Sequence, residues 1–302
     1  MKFAKYHALG NDYLVITPLE AGDLPHQPEA AQRLCHRNFG IGSDGILIGP
    51  TPTLETQFGL RIINPDGSEA EKSGNGIRIF SRWLWDHKFV TEKPFQIWTR
   101  GGTVNVEVLD EGQIVKVEMG RASFDSQVIP VTGPNREVVN EILEVAGGIF
   151  HYCAVTIGNP HCVIRCDRVS TQQVKELGPL IEKDPRFPNR TNVQFMEIRD
   201  QHHIYIEIWE RGAGYTLASG SSSCAAAVAA VRLGLCQSPI TVLMPGGSLE
   251  IQIMADTHVI MVGGVTRVAE GEIFDEIFSD KIYPGGTQQG HIEHHEIDFL
   301  WL

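Results

Sequence analysis

The sequence contains the stretch Ser73-Gly74-Asn75-Gly76 directly before a run with helical spacing, and a related stretch, Ser219-Gly220-Ser221-Ser222, follows 146 residues later. Ile77 to His87 places its apolar residues on one side of a helix, which is typical of a helix with one buried face. Cys224 to Leu233 is almost entirely alanine and aliphatic, so the second helix is expected to lie at the centre of its lobe. Each serine therefore stands at the start of a helix.

Four further landmarks recur in the same order at offsets of 145 to 148 residues. The matched pairs are Gly10-Asn11-Asp12 with Gly158-Asn159-Pro160, Ser43-Asp44 with Thr191-Asn192, Asn64 with Glu210, and Gly101-Gly102-Thr103 with Gly246-Gly247-Ser248. Landmarks in one order at a nearly constant offset indicate an internal duplication. The sequence predicts two similar lobes that face each other, with Ser73 and Ser219 as equivalent residues.

Between the two helices the chain reads as many short apolar strands separated by turn residues, so each half is expected to wrap several strands around one helix. Helical spacing is also present over Pro28 to Arg37. We expect a first lobe of residues 1–119 plus 266–302 and a second lobe of residues 120–265. The tail, 279–302, has no counterpart in the first copy, and its His291, His294 and His295 fit a polar surface tail better than a metal site.

Composition excludes several classes of partner. The formal charge of -12, from 25 Lys+Arg against 37 Asp+Glu, disfavours binding to nucleic acid or to an anionic membrane. The longest strongly apolar run is too short to span a bilayer, and the N-terminus lacks the apolar core of a signal peptide. We therefore expect a cytoplasmic protein whose six cysteines are reduced and buried. Cys162 and Cys166 fit alternating strand residues better than metal ligands, so no metal is expected.

The two helix starts form a candidate binding site for an anion. The first turn of a helix exposes unpaired N–H groups and the positive end of the helix dipole, and glycine lets a ligand approach that backbone. Asparagine both donates and accepts hydrogen bonds, and Glu210-Arg211 adds one group for an ammonium and one for a carboxylate. This set suits a small amino acid. The predicted binding residues are Asn11, Asp44, Asn64, Gly74, Asn75, Asn159, Asn192, Glu210, Arg211, Gly220 and Ser221.

Each of these residues also has an ordinary structural explanation. Serine is a good N-cap, and Asn and Gly are common in turns. The duplication favours a ligand site, because polar residues recur at four matched positions beside glycine-rich turns. His161 either lines the site beside Asn159 or is an ordinary strand histidine, and the sequence leaves both interpretations open.

These motifs resemble the diaminopimelate epimerase family, and the match covers nearly the whole chain to about residue 275. They include His7 to Asp12, Phe39 to Gly45, Asn64 to Glu69, Gly74 to Arg78, Gly158 to Cys162, Arg190 to Asn192, Glu210 to Gly214 and Pro245 to Gly247. The resemblance implies an α+β fold of two pseudo-symmetric lobes, each a mostly antiparallel β-barrel around a central helix. It also implies inversion of a stereocentre without pyridoxal phosphate or another cofactor, and, since relatives are often dimers, a homodimer.

In the family's pattern a cysteine precedes each helix start, and one thiolate removes the α-proton while the facing thiol donates one. Here Ser73 and Ser219 occupy both positions, and Ser222 stands where the family usually has glycine. An alcohol is a far weaker acid than a thiol, so two-base proton transfer is expected to be weak or absent. The matched ligand-holding residues Asn11, Asn64, Asn159, Asn192, Glu210 and Arg211 remain.

Three origins of the serines stay open: deliberate replacement of two cysteines, divergence to other chemistry, or slow epimerisation with another base. Ser222 favours divergence, because a replacement of two cysteines would not require it. The functional interpretations are correspondingly three. The first is an epimerase or isomerase acting on diaminopimelate or a similar amino acid. The others are a lyase or isomerase with one polar base, His161 or Glu210, and a non-catalytic amino-acid-binding protein.

Overall fold

The computed structural model describes residues 1–279 of the chain. Five α-helices are present in this part. They are α1 (Pro18–Ala21), α2 (Pro28–Cys35), α3 (Gly74–Asp86), α4 (Thr171–Glu182) and α5 (Gly220–Arg232). The predictions for His291, His294, His295 and the rest of 280–302 lie outside the described residues.

The strands fall into two series that follow each other along the chain. The first series is β1 (Lys2–Ala8), β2 (Asn11–Ile16), β3 (Ile46–Thr51), β4 (Phe58–Ile63), β5 (Glu69–Ala70), β6 (Phe95–Thr99), β7 (Gly102–Leu109) and β8 (Ile114–Arg121). After β9 (Glu141–Val145), the second series is β10 (Gly148–Thr156), β11 (Pro160–Cys166), β12 (Asn192–Ile198), β13 (His203–Glu210), β14 (Gly214–Thr216), β15 (Ile240–Met244), β16 (Gly247–Ile253) and β17 (His258–Gly264). The last strand is β18 (Thr266–Glu272).

The two series make the same pairings in the same order and direction. In the first, β1–β2, β3–β4, β4–β5, β6–β7 and β7–β8 are antiparallel, whereas β2–β3 and β4–β6 are parallel. In the second, β10–β11, β12–β13, β13–β14, β15–β16 and β16–β17 are antiparallel, whereas β11–β12 and β13–β15 are parallel. Helices α3 and α5 occupy the same place in each series. The predicted duplication and α+β fold are confirmed.

Two connections join the halves of the molecule. Strand β8 pairs with β17, so the last strands of the two series lie side by side. Strand β18 returns to pair with β1, while β9 pairs with β10 at the corresponding edge of the second series. The return of β18 to β1 supports the predicted lobe boundaries, which remain a prediction at the level of single residues.

The two central helices differ in how fully they are buried. Helix α5 is buried from Gly220 to Ala230 except at Ser221, which confirms the expectation of a helix at the centre of its lobe. Helix α3 buries Ile77, Phe80 and Leu84, and its far end carries partly exposed Arg82. Contact with strands on all sides stabilises the apolar part of α5, because burial of each methylene group contributes about 0.8 kcal/mol.

Helix α4 was not predicted from the sequence. Pro179 inside it disfavours a helical assignment, yet Ser170 caps its start by accepting a hydrogen bond from the Gln173 N–H at 3.2 Å. Val174 and Ile181 are spaced for one buried face, and this spacing together with the cap was the available signal. Within residues 1–279 no helix is long and apolar enough to cross a membrane.

Candidate active site

Helices α3 and α5 begin against each other where the two lobes meet. A Cβ at Gly74 would lie 3.6 Å from Gly220 Cα, and one at Gly220 would lie 3.5 Å from Gly74 Cα. The Met261 side chain lies under both, because the same Cβ positions would be 3.1 Å from its Cε and 2.8 Å from its Sδ. Glycine is therefore required here by close approach, and two helix N-termini are directed into one region.

Both serines cap their helices as predicted. The Ser73 hydroxyl accepts a hydrogen bond from the Gly76 N–H at 3.0 Å, and the Ser219 hydroxyl accepts one from the Ser222 N–H at 3.4 Å. Their backbone conformations match, with φ of -138° and -147°. Ser73 is half-buried and Ser219 is buried. The duplication thus extends to the local geometry of the two caps.

The two serines differ in the side chain that each one meets. The Tyr13 hydroxyl lies 3.3 Å from Ser73 Oγ, and either atom can donate the hydrogen bond. Burial raises the pKa of Tyr13 to about 12, the Ser73 hydrogen bond opposes that rise, and the negative charges of Glu210 and Asp44 add to it. Ser219 instead lies near the Glu210 carboxyl: burial raises the pKa of that carboxyl, and the interaction with Ser219 opposes the rise.

Tyr13 was missed by sequence reasoning. It follows Asn11 by two residues on β2, and alternate residues of a strand share one face. That periodicity was a usable signal, because Asn11 was already a predicted site residue.

The predicted residues of the first lobe form a connected chain of hydrogen bonds. The Asn75 amide N–H donates to Asn11 Oδ1 at 3.0 Å, and the Asn11 amide N–H donates to Asp44 Oδ2 at 2.9 Å. Arg37 donates to the other Asp44 oxygen at 2.6 Å. Asn11, Asp44 and Asn75 are therefore brought together at the start of α3. Asn64 lies in the turn after β4, where its amide N–H donates to Ser68 Oγ at 2.9 Å.

A buried cation lies one turn inside α3. Arg78 is fully buried, donates to Asn75 Oδ1 at 2.9 Å and reaches Met261 Sδ at 3.1 Å. Within the part of the chain that the structure describes, its Nε has no hydrogen-bond partner. Burial lowers the pKa of Arg78 to about 10, so it remains charged at neutral pH. This charge adds positive potential behind the first helix start.

In the second lobe His161 holds Asn159. The His161 Nε2 lies 2.9 Å from Asn159 Oδ1, and its Nδ1 lies 3.1 Å from the Gln194 amide nitrogen, which also donates to Ser222 Oγ at 3.0 Å. His161 is fully buried, and burial lowers its pKa to about 3. A neutral ring with Nε2 protonated satisfies both contacts, because Nε2–H donates to the amide oxygen and Nδ1 accepts from Gln194. The geometry thus makes His161 a support for Asn159.

The remaining predicted residues border the end of β13. The Asn192 amide N–H donates to the Pro160 carbonyl at 3.0 Å, and Asn192 Oδ1 accepts from the Arg211 N–H at 2.9 Å. The exposed Arg211 guanidinium donates to the Asn189 carbonyl at 3.1 Å. Ser221 is half-exposed in the first turn of α5. Asn192 therefore joins the loop after β13 to the start of β11, and Glu210 lies near Ser219 at the second helix start.

None of the cysteines stands at the first position of α3 or α5. All six are free; five are buried and Cys166 is half-buried. Cys224, five residues beyond Ser219, is buried in α5, and burial raises its pKa to about 12. Its thiol is therefore protonated at neutral pH and is a poor replacement base.

The model of the family described as diaminopimelate epimerase matches residues 3–125 and 153–268, which is most of the chain. The chain belongs to this family. A relative from Nostoc sp. named diaminopimelate epimerase 2 is 60% identical over 279 residues, covering 92% of this chain and 98% of the relative. Diaminopimelate epimerase of Desulfitobacterium hafniense is 39% identical over 284 residues, covering 92% of this chain and 100% of the relative.

Solved structures of low sequence identity share the fold of this diaminopimelate epimerase family member. A hydroxyproline epimerase from Agrobacterium vitis superposes with a TM-score of 0.67 at 12% identity, covering 90% of both chains. A PhzF-family phenazine biosynthesis protein from Bacillus anthracis superposes with a TM-score of 0.62 at 15% identity, covering 91% of this chain and 99% of that one. At these identities the likeness concerns the fold alone.

Proposed function

We propose that the protein is an amino-acid epimerase or isomerase of the diaminopimelate epimerase type, acting on diaminopimelate or a similar amino acid with its own side chains. Family membership and the names of its relatives support an amino-acid epimerase of the lysine pathway. The observation that carries the proposal is the meeting of two serine-capped helix N-termini between the lobes.

The helix starts supply the carboxylate site. The first turns of α3 and α5 carry N–H groups without an intrahelical acceptor, and the close approach of Gly74 to Gly220 brings both turns into one region. Each helix dipole favours a negative charge by about 0.3–1 kcal/mol, and the buried Arg78 adds a full positive charge behind α3. A carboxylate held between the two starts would place its α-carbon between Ser73 and Ser219.

The polar residues around the helix starts supply the remaining recognition. Glu210 provides an anion for the substrate ammonium, and Arg211 provides a guanidinium for a distal carboxylate. Amide side chains are able to hydrogen-bond both kinds of group. The proposed binding set is Asn11, Asp44, Asn64, Gly74, Asn75, Asn159, Asn192, Glu210, Arg211, Gly220 and Ser221.

The serines set the expected rate. A thiol with a pKa of about 8.5 is readily ionised at a helix start. With water at roughly 15.7 as a stand-in for an alcohol, the gap is about 7 pKa units. At about 1.36 kcal/mol per unit, forming the alkoxide costs on the order of 10 kcal/mol more than forming the thiolate. The helix dipoles offset only about 0.3–2 kcal/mol of this cost. Slow proton transfer is therefore expected, with neighbouring groups sharing the proton.

A one-base lyase or isomerase is the second candidate, and the position of the Glu210 carboxyl near Ser219 favours it. A carboxyl group whose pKa is raised by burial is a stronger base when ionised, and Glu210 interacts with Ser219. Such an enzyme removes a proton from one face without returning it to the other. His161 does not fit this role well, because its lowered pKa of about 3 makes it a weak base.

Incubation with LL-diaminopimelate in deuterated water, followed by NMR, tests the proposal. Exchange of the α-proton with inversion is expected for an epimerase, whereas exchange or loss of water without inversion indicates the one-base candidate. The Arg211→Met variant and the analogue 2-aminopimelate, which lacks one ammonium group, report on recognition of the distal group. The absence of α-proton exchange over hours at high enzyme concentration would contradict the proposed activity. A ligand-dependent rise in melting temperature without exchange would then identify an amino-acid-binding protein.

A further inference from the structure

Tyr13 is built into the first lobe so that its hydroxyl reaches the start of α3. The ring lies on β2 against Gly45, where a Cβ would be 2.7 Å from Tyr13 Cε1 and 2.8 Å from the Ile63 carbonyl oxygen. Tyr13 is buried, so its ring has little freedom to move away. The hydroxyl ends 3.3 Å from Ser73 Oγ. Gly45 therefore leaves the space that allows a phenol at this position.

The surroundings keep that phenol protonated. Asp44 precedes β3, Glu210 ends β13 and Cys35 ends α2, and each of these groups raises the pKa of Tyr13 when it is negatively charged. Arg37 pairs with Asp44 at 2.6 Å and reduces the effect of that carboxylate. Because burial and these charges bring the pKa to about 12, the Tyr13 hydroxyl carries its proton at neutral pH. It therefore carries a proton that it can donate to Ser73.

We propose that Tyr13 is the proton partner of Ser73, and that proton delivery to the substrate α-carbon from the Ser73 face runs through this pair. The inference rests on the proposed function and adds to it a residue that the thiol chemistry of the family does not require. Tyr13 acts through Ser73 and is a positioning residue in this sense. Ser73 alone would become an alkoxide on donating its proton, whereas the phenol replaces that proton as it leaves.

The step balances in atoms and charge. The electron pair of the α-carbanion forms a C–H bond with the Ser73 hydroxyl proton, the Ser73 O–H bond breaks, and the oxygen takes the phenol proton of Tyr13. Tyrosinate remains and regains a proton from water. On the opposite face, Ser219 takes the α-proton while its own hydroxyl proton passes to the Glu210 carboxylate. The two faces are therefore specialised, with donation at Ser73 and removal at Ser219.

The first experiment compares Tyr13→Phe with Tyr6→Phe. Tyr6 is the cross-strand neighbour of Tyr13 and is also buried, but its hydroxyl donates to Asp86 at 2.9 Å. Both diaminopimelate epimers are followed in deuterated water. Tyr13→Phe is expected to slow inversion by about 100-fold or more, with KM unchanged and exchange with retention at the Ser219 face preserved. A merely structural role would lower both reactions together.

A pH profile of a second variant at the same position gives a further readout. Site-specific replacement of Tyr13 by a fluorinated tyrosine lowers the pKa of the phenol, so the inversion rate is expected to fall with rising pH at a lower pH than in the native chain. The Tyr6→Phe variant should keep the native profile. Inversion that is equally fast in Tyr13→Phe and the native chain overturns the proposal.

A titration independent of catalysis separates failure of this inference from failure of the proposed function. In Ser73→Cys, the Tyr13 hydroxyl would donate to the thiolate at position 73 and lower the pKa of that thiol. Adding Tyr13→Phe is expected to raise it by about one to two pKa units, the size of a lost hydrogen bond to a charged group, as followed by thiolate absorbance. Adding Tyr6→Phe should leave it unchanged.

The outcomes are distinct. If the native chain shows no α-proton exchange but the thiol pKa moves with Tyr13→Phe, the proposed function falls and the Tyr13–Ser73 proton pair stands. A thiol pKa that is the same with and without the Tyr13 hydroxyl overturns the pair, whatever the activity.

Discussion

The starts of α3 and α5 share one backbone design and differ in the group that meets each serine. The Ser73 hydroxyl is within hydrogen-bond distance of the Tyr13 phenol on β2, whereas Ser219 lies near the Glu210 carboxyl at the end of β13. The position 148 residues after Tyr13 is His161, which hydrogen-bonds Asn159 and Gln194. The position matched to Glu210 is Asn64. Both lobes therefore keep the serine-capped helix start, whereas different strands supply the titratable partner of each serine.

In the proposed mechanism, this difference makes Ser73 the proton donor and Ser219 the group that removes the proton. A protonated phenol beside a hydroxyl favours donation, and an ionised carboxyl beside a hydroxyl favours removal. A pair of identical thiols would need no such partners, because each thiol can exist in either protonation state near neutral pH.

The largest expected effect is a gain of activity on restoring thiols at both positions. Ser73→Cys combined with Ser219→Cys should raise the α-proton exchange rate by several powers of ten, with about seven as the upper bound set by the pKa gap between thiol and alcohol. Exchange is measured by NMR in deuterated water, and Cys224→Ser in the same background is the control. No gain would mean that the pocket no longer fits the substrate.

The single variants of this pair compare the two helix starts directly. The Tyr13 hydroxyl can donate to a thiolate at position 73, whereas Glu210, when ionised, repels one at position 219. The thiol at 73 should therefore have the lower pKa of the two. Equal pKa values, measured by the pH dependence of alkylation, would contradict the functional difference between the helix starts.

The second-largest expected effect follows from removing Glu210, the base that we propose for the Ser219 side. Glu210→Gln should lower α-proton exchange by about 10²–10⁴-fold. Because the pKa of Glu210 is raised, its base form is lost as pH falls through that raised value, so the native rate should climb with pH in this window. Glu210→Gln should remove that climb. Glu250→Gln, an exposed glutamate of the second lobe, is the control, and the same profile in both variants would count against Glu210.

A smaller effect tests the close contact of the helix starts. Gly220→Ala would put its Cβ 2.8 Å from Met261 Sδ, and Gly74→Ala would put its Cβ 3.1 Å from Met261 Cε. The free energy of unfolding should fall by about 1–3 kcal/mol, with Gly220→Ala the more costly. Gly264→Ala is the control, because its nearest contact would be an ordinary 3.7 Å. Denaturant titration gives the values, and stability equal to Gly264→Ala would refute tight packing.

The smallest effect concerns the caps themselves. Ser73→Ala should lower the free energy of unfolding by about 1–2 kcal/mol, because one helix N–H loses its acceptor and the buried Tyr13 hydroxyl loses its partner. Ser219→Ala should cost a similar amount, since the nearby Glu210 carboxyl also loses a polar partner. Ser170→Ala, which removes the cap of α4, provides the reference for a cap with no such partner. A cost at 73 or 219 no larger than the cost at Ser170 would show that the second partner of that serine contributes nothing to stability.

Much of the fold was predictable because its signals are local or periodic. Serine caps and glycines mark the starts of α3 and α5, and apolar spacing marks their buried faces. Helix α4 escaped prediction because Pro179 opposes a helical assignment, while its contacts with β12 and β13 stabilise the helix in the folded chain. Tertiary packing outweighs local propensity in that segment.

The sequence by itself determined the duplication, the two helix starts, the family and the set of polar residues near the starts, because a constant offset and short motifs are legible without coordinates. Only the tertiary structure decided which side chain meets which serine. The contacts of Tyr13 with Ser73 and of Gly74 with Gly220 join segments 60 and 146 residues apart, and no local pattern encodes them. They arise from the way β2 packs beside α3 and the two lobes close on each other, which is a property of the whole chain.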